Sequence, residues 1–254
     1  MATVLRHRID DLRLAMMILT RVPMGHWRLL DGATLGRALW AYPIAGAVVG
    51  AIAGGIFYVC AFAGLPSSMS AAVALIASVL ASGSLHEDGL ADFADGLGGG
   101  GDRARKLEIM RDSRIGTYGT VALILSYLVR WSALVALADP YTVFIVWIAA
   151  DALSRGSIAL PLAFLGPARA DGLGVQAASP PSSSAWMAGI IAVAIATALL
   201  GLHALPLIAA AVVAAVVVSL LAYRHLQGQT GDVLGADALI AESLSLVAAC
   251  TRWF

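Results

Sequence analysis

Long apolar stretches alternate with short polar ones along almost the whole chain, and the apolar stretches have the length of membrane helices. Six runs reach the roughly 17–25 residues that cross a bilayer as an α-helix: 38–62, 69–85, 117–138, 141–165, 186–202 and 206–222. A seventh, Ala238–Cys250, is short for a crossing and carries Glu242. The segment Ile9–Met24 mixes Asp10, Asp11, Arg13 and Arg21 with Leu12, Met16, Met17 and Ile18, which suits a helix lying in the headgroup plane. Membrane barrel strands read as roughly ten-residue alternating segments, and stretches such as AIAGGIFYV or AVVAAVVVSLLA do not alternate. The pattern predicts an all-α, polytopic membrane bundle of six to seven transmembrane helices plus an N-terminal interfacial helix, a single membrane-embedded unit over residues 1–254. Gly46, Gly50 and Gly54, at small-xxx-small spacing, predict close helix packing in the first crossing.

Composition agrees. Of 254 residues, 60% are hydrophobic and only 13% charged, against about 25% charged in a soluble domain. Mean hydropathy is +0.86. These values exclude a water-soluble globule and a disordered chain. Sixteen basic residues balance sixteen acidic ones, so the basic excess of a general nucleic-acid binder is missing. Cys60 and Cys250 sit in apolar runs without CxxC spacing and read as packing residues. The start, MATVLRHRIDDLRL, lacks the apolar core of a cleavable signal, so insertion through the first membrane helix is expected.

Arginine and lysine then set orientation. Residues 1–37 hold six and residues 86–116 hold five, whereas 63–68, 139–140 and 203–205 hold none. The positive-inside rule places the rich segments in the cytoplasm. With seven crossings, 166–185 and 223–237 fall on that side too.

The segment 86–116 carries seven of the sixteen acids. Within it, Asp88, Asp92 and Asp95 are spaced i, i+4, i+7 and share one stripe of a helix. Three carboxylates on one stripe repel each other and are costly to desolvate near a membrane; a divalent cation offsets both costs. Hard oxygen donors without cysteine favour Mg²⁺, Mn²⁺ or Ca²⁺, and Mg²⁺, which keeps waters and shares substrate phosphates, suits an open stripe. On an ideal helix His86 points away from it. The glycine run Gly98–Gly101 permits close backbone approach to a ligand but lacks the order of a Walker loop. Arg103, Lys106, Arg111 and Arg114 are able to grip phosphate, or to anchor the membrane boundary, and Arg111 and Arg114 equally suit a cap or salt bridge around Asp112-Ser113. Arg130, Asp151 and Arg155 lie inside apolar runs, where charges face a cavity or one another; Asp151 and Arg155 are spaced i, i+4 for a pair. Asp171-Gly-Leu-Gly174 and Gln229–Ala236 are polar turns, Asp232 in the second being a further metal or hydroxyl contact. Ser179–Ser184 reads as a flexible linker.

These motifs resemble the cobalamin synthase (adenosylcobinamide-GDP ribazoletransferase) family, whose pattern is similar to HxDGLADxxDG followed by a basic stretch and LEIMRDSRxGxxG. Here it reads His86-Glu-Asp-Gly-Leu-Ala-Asp-Phe-Ala-Asp-Gly96, then Lys106-Leu-Glu-Ile-Met-Arg-Asp-Ser-Arg-Ile-Gly-Thr-Tyr-Gly119. Leu19–Pro23, Tyr42–Gly46 and Gly228–Gly235 agree in order, so the likeness spans roughly 14–250. Glu87 departs from it, standing where the family usually has an apolar residue.

The resemblance implies a multi-pass enzyme of the bacterial cytoplasmic (inner) membrane with its active-site loops on the cytoplasmic side. Its substrates would be adenosylcobinamide-GDP and α-ribazole or α-ribazole 5′-phosphate. The ribose 3′-hydroxyl would attack the cobinamide-linked phosphorus with Mg²⁺ assistance, and GMP would leave. It implies Asp88, Asp92 and Asp95 as catalytic, metal-holding residues, one of them the base, and His86, Arg111, Asp112, Arg114 and Asp232 as substrate-binding residues. Two other readings stand beside it. A CDP-alcohol phosphotransferase resembles DxxDGxxAR, which Asp92 and Asp95-Gly96 begin but Gly99-Gly100 break. A transporter would use Arg130, Asp151, Arg155 and Glu242 at membrane depth, although its site belongs at the midplane and the densest polar motif here lies in a loop.

Overall fold

The computed structural model describes residues 2–25, 32–172, 177 and 180–251. Among them the regular structure is helical, apart from one isolated bridge pairing Pro167 with Gln229. The helices are α1 (Ala2–Leu19), α2 (Gly32–Ala38), α3 (Tyr42–Phe62), α4 (Ser67–Ser82), α5 (Leu85–Gly99), α6 (Arg103–Ile109), α7 (Thr117–Leu137), α8 (Pro140–Ser157), α9 (Ala159–Phe164), α10 (Ser182–Leu200), α11 (Ala204–Leu226) and α12 (Gly231–Cys250).

Five stretches are long and apolar enough to cross a membrane: Leu35–Phe62, Thr117–Leu137, Pro140–Phe164, Ser182–Leu226 and Gly231–Cys250. The chain is thus a multi-pass membrane protein. Ser182–Leu226 has 45 residues, about twice what one crossing needs, and it is folded on itself. Gly201 takes φ +57 between α10 and α11, and Val193 of α10 lines the same cavity as Ile208 of α11, which makes the two a hairpin.

One apolar run differs from expectation, and the last, left open between six and seven crossings, is part of a longer helix. The second, 69–85, is not a straight crossing: α4 stops at Ser82 after 16 residues, and α5 leaves it at 90°. Gly83 and Ser84 both take left-handed backbone (φ +68 and +61), which makes the corner. The last run, short by sequence, belongs to a 20-residue helix because α12 begins at Gly231, where Thr230 caps it by accepting from the Val233 amide.

At the N-terminus, helix covers Ala2–Leu19 rather than 9–24. Its apolar residues Leu14, Ala15 and Leu19 pack with Leu35, Leu39 and Ala45. Asp11 is buried beneath them, accepting from Arg37 Nε at 2.7 Å and Trp40 Nε1 at 3.2 Å. Ser182–Ser184 is not linker but the first turn of α10, and Ser184 Oγ donates to the Arg37 carbonyl. Ser179 lies outside the described residues, as do Leu173 and Gly174 of the Asp171 turn.

The glycine stripe works as predicted. α3 runs antiparallel along α8 with Gly46 against Asp151, Gly50 against Trp147 and Gly54 against Phe144. A Cβ at Gly50 would lie 2.6 Å from the Trp147 carbonyl oxygen, so only glycine lets these backbones approach so closely.

Candidate active site

The corner after α4 turns an acidic helix into the polar side of the bundle. α5 carries His86, Glu87, Asp88, Asp92 and Asp95 and is not one of the five spanning stretches. Arg21, from the Leu19–Pro23 motif, fits over Gly83 where a side chain would sit, and its amide donates to the Ala81 carbonyl. α5 then crosses the first turns of α12 with backbones in contact: a Cβ on Gly89 would meet the Gly235 Cα at 2.9 Å and the Asp232 carbonyl at 3.0 Å. This close crossing of two glycines places Asp88 and Asp92 beside Asp232, more than a hundred residues away in sequence.

His86, Asp88 and Asp232 line one cavity. Asp88 is exposed and Asp92 half-buried. Burial, then the charges of Asp88, Asp232 and Asp95, push the Asp92 carboxyl up to about 7. Opposing them is Arg169, whose guanidinium contacts Asp232 Oδ2 at 3.1 Å. Thr230 Oγ1 donates to the same oxygen at 3.2 Å. Arg169 is mostly buried, and its Nε has no partner among the described residues. Its loop is pinned to the start of α12: Ala168 N donates to Gln229 O, and Gln229 N to Gly166 O. Arg103 clamps the same region through the carbonyls of Ala168 and Leu226.

Asp95 does something else. Its Oδ2 accepts from the Gly116 amide at 2.7 Å and its Oδ1 from the Gly119 amide at 2.8 Å, so the third carboxylate of the stripe serves the N-terminus of α7, where a negative charge also complements the helix dipole. Gly116 and Gly119 leave room for it, because a Cβ on either would overlap the carboxylate.

The basic segment is largely committed to structure. Lys106 is buried and donates to the Gly100 and Gly101 carbonyls, and Arg103 is used as above. Both differ from the phosphate grip that the sequence allowed; in the glycine run, Gly100 packs against Lys106 and Gly98 against the Tyr118 ring. Arg111 pairs with Asp171, two residues from Arg169, which sets it at the rim. Arg114 pairs with Asp112 at 2.7 Å, both in the open; its guanidinium and backbone amide hold the Asp112 carboxyl at about 2.

Beneath α5 lies a buried ionic network. Arg130 contacts Glu87 at 3.5 Å and Glu242 at 3.4 Å, Trp147 Nε1 donates to Glu242, and Arg155 pairs with Asp151 and with Glu242 at 3.6 Å. The i, i+4 pair is therefore present, and Glu87, the departure from the family pattern, is half of an inter-helix ion pair rather than a solvent-facing acid. Nothing in the sequence singled out Arg169. It stands in an ordinary Gly-Pro-Ala-Arg loop, and only the pairing of that loop with Gln229 brings it to Asp232.

Among the described residues, no three acid, histidine or cysteine side chains are gathered closely enough to hold a metal ion alone. The carboxylates that crowd around Asp92 and push it up are the kind of donor Mg²⁺ takes one or two at a time, filling the rest of its shell with water and substrate phosphate.

Fold and site together define a multi-pass membrane protein with a carboxylate and guanidinium site where two helices cross. Residues 11–250 match the model of the cobalamin-5-phosphate synthase family, and the chain belongs to that family. Proteins named adenosylcobinamide-GDP ribazoletransferase are similar over nearly the whole length. The one from Bradyrhizobium diazoefficiens is 42% identical, covering 96% of this chain and 95% of the relative. The Mesorhizobium japonicum protein is 43% identical (96% and 94%), and the Azorhizobium caulinodans protein 41% (92% of each). No solved structure matches. The protein is an enzyme, a transferase of cobalamin biosynthesis.

Proposed function

We propose that the chain joins adenosylcobinamide-GDP to α-ribazole, or to its 5′-phosphate, giving adenosylcobalamin or its phosphate and releasing GMP. The observation that carries this reading is the meeting of Asp88, Asp92 and Asp232 with Arg169 at the Gly89–Gly235 crossing, in a chain so similar to proteins of that name. The α-ribazole 3′-hydroxyl oxygen forms a bond to the cobinamide-linked phosphorus, the bond from that phosphorus to the bridging oxygen breaks, and GMP departs with that oxygen. Arg169, loosened from Asp232, binds phosphate oxygens through its planar fork. Asp232, which would not hold the cation, accepts the hydroxyl proton at a carboxylate oxygen. Asp88 and Asp92 would hold Mg²⁺, which neutralises charge on the diphosphate and the leaving group. Asp95 positions rather than ligates. Arg111 stands at the mouth, and the site faces the cytoplasm of a bacterial inner membrane, where the arginine-rich segments lie.

The test is turnover by purified protein in detergent with Mg²⁺, adenosylcobinamide-GDP and α-ribazole. GMP and a cobalamin product in equal amounts are expected. Folded protein that forms neither overturns the reading.

A further inference from the structure

A cavity of about 200 Å³ opens beside the acids, walled by Leu19 of α1, Leu35 of α2, Tyr42 of α3, Ile158 and Leu234. At its polar end stand Asp88, Asp232 and His86. His86 is 2% exposed, yet neither Nδ1 nor Nε2 has a hydrogen-bond partner among the described residues. Buried polar groups in proteins are paired as a rule, and each exception needs a reason. Phosphate chemistry uses neither the imidazole nor the hydrocarbon wall.

We propose that this cavity binds the fused aromatic base of the ribazole, with the His86 imidazole making the base's one hydrogen bond and the ribose emerging beside Asp88 and Asp232. This rests on the reading above, that a ribazole is the acceptor. A benzimidazole attached to ribose through one ring nitrogen keeps a single polar atom, its other nitrogen, which accepts and does not donate. A neutral imidazole has one N–H to give. The remainder of the base is hydrocarbon and aromatic, as is most of the wall. In size the match is also good: a dry cavity of about 150 Å³ lined by aliphatic and aromatic residues takes benzene, and a somewhat larger one is needed for a fused ring. Purine bases carry several donors and acceptors, which this wall would leave unpaired at a loss of about tenfold in affinity for each. The cavity therefore selects ribosides by their base.

The test uses the full-length protein in detergent, with α-ribazole and adenosine as probes and binding followed by calorimetry in the absence of nucleotide donor. The wild type is expected to bind α-ribazole at least about tenfold more tightly than adenosine. Leu35→Trp, which fills the cavity, and His86→Phe, which removes the donor, each weaken α-ribazole binding and raise its KM by about tenfold or more. They leave the KM for adenosylcobinamide-GDP unchanged, and His86→Gln, which restores an N–H, recovers part of the loss. Should Leu35→Trp fail to fold, Leu234→Phe fills the same space from α12. Wild-type turnover with acceptor KM unaltered in the folded variants overturns the cavity and leaves the transferase reading standing; so does adenosine binding as tightly as α-ribazole. α-Ribazole binding that the cavity-filling variants abolish supports the cavity even where no product forms, a result that counts against the transferase reading alone.

Discussion

Replacing Asp95 by alanine separates a carboxylate that holds a helix from one that holds a cation. In the structure both Asp95 oxygens are engaged, at 2.7 and 2.8 Å, by the amides of Gly116 and Gly119, and the side chain is 7% exposed. Alanine leaves two donors at the start of α7 without partners. Loss of a capping side chain costs about 0.5–2 kcal/mol, and leaving buried donors unpaired about 1–3 kcal/mol. A total near 3 kcal/mol is therefore expected, about a hundredfold in the folding equilibrium. Asparagine keeps one acceptor and turns an NH₂ toward the other amide, so it should lose roughly half as much. The assay pairs unfolding in mixed micelles with the Mg²⁺ concentration for half-maximal turnover, measured where each variant is still folded. The expected result is a large fall in stability with little change in Mg²⁺ requirement. An Asp95→Ala protein as stable as the wild type but demanding much more Mg²⁺ would refute the capping role and return Asp95 to the cation.

Other perturbations test other parts. Asp88→Ala and Asp92→Ala should each abolish turnover without lowering the unfolding temperature, since each relieves like-charge crowding; near-normal rates in both would reject the carboxylate site. Because the Asp92 carboxyl is raised to about 7, it is mostly protonated at pH 6 and mostly charged at pH 8, so Mg²⁺ affinity should rise with pH across that window and binding at pH 7 should release protons, as calorimetry in buffers of different ionisation enthalpy would read; affinity independent of pH contradicts this. Gly50→Val should prevent α3 from seating on α8 and block accumulation of folded protein, whereas Gly55→Ala, whose added carbon meets only the edge of Phe144 at 4.0 Å, should accumulate normally. Arg130→Met strands Glu87 in the interior, leaving Glu242 to Arg155 and Trp147, and should cost about 3–5 kcal/mol, with Glu87→Gln in the same chain recovering part of it.

What the sequence disclosed and what it withheld follow from the range of the forces involved. Apolar run length and small-residue spacing are local, and they predicted the crossings and the α3–α8 contact. The acidic stripe was likewise visible, since i, i+4, i+7 spacing places Asp88, Asp92 and Asp95 on related faces. But a stripe of nearly 60° does not say what each face meets, and Asp95 meets the amides of another helix. Asp232 was recognised as a polar residue of interest; its approach to Asp88 depends on Gly89 touching Gly235, a coincidence between two distant helices. Arg169 carried no local mark. The corner at Gly83-Ser84 was hidden inside an apolar run because hydropathy does not register the sign of φ. The linker reading of 179–184 failed in its second half for a similar reason: Ser184 caps nothing local but donates to Arg37, far away in sequence.

The ionic network beneath α5 has a consequence for how the chain assembles. Arg130 rides on α7, with one counter-charge, Glu87, on α5 before it and the other, Glu242, on α12 well after it. A guanidinium left half-compensated at membrane depth is costly, so α7 pairs with Glu87 of α5 first and keeps access to an insertion machine or a water-filled passage until α12 delivers the second partner. Closure of the bundle is thereby deferred to α12, the same helix that brings Asp232, and the catalytic surface and the insulated interior come into being in a single late event.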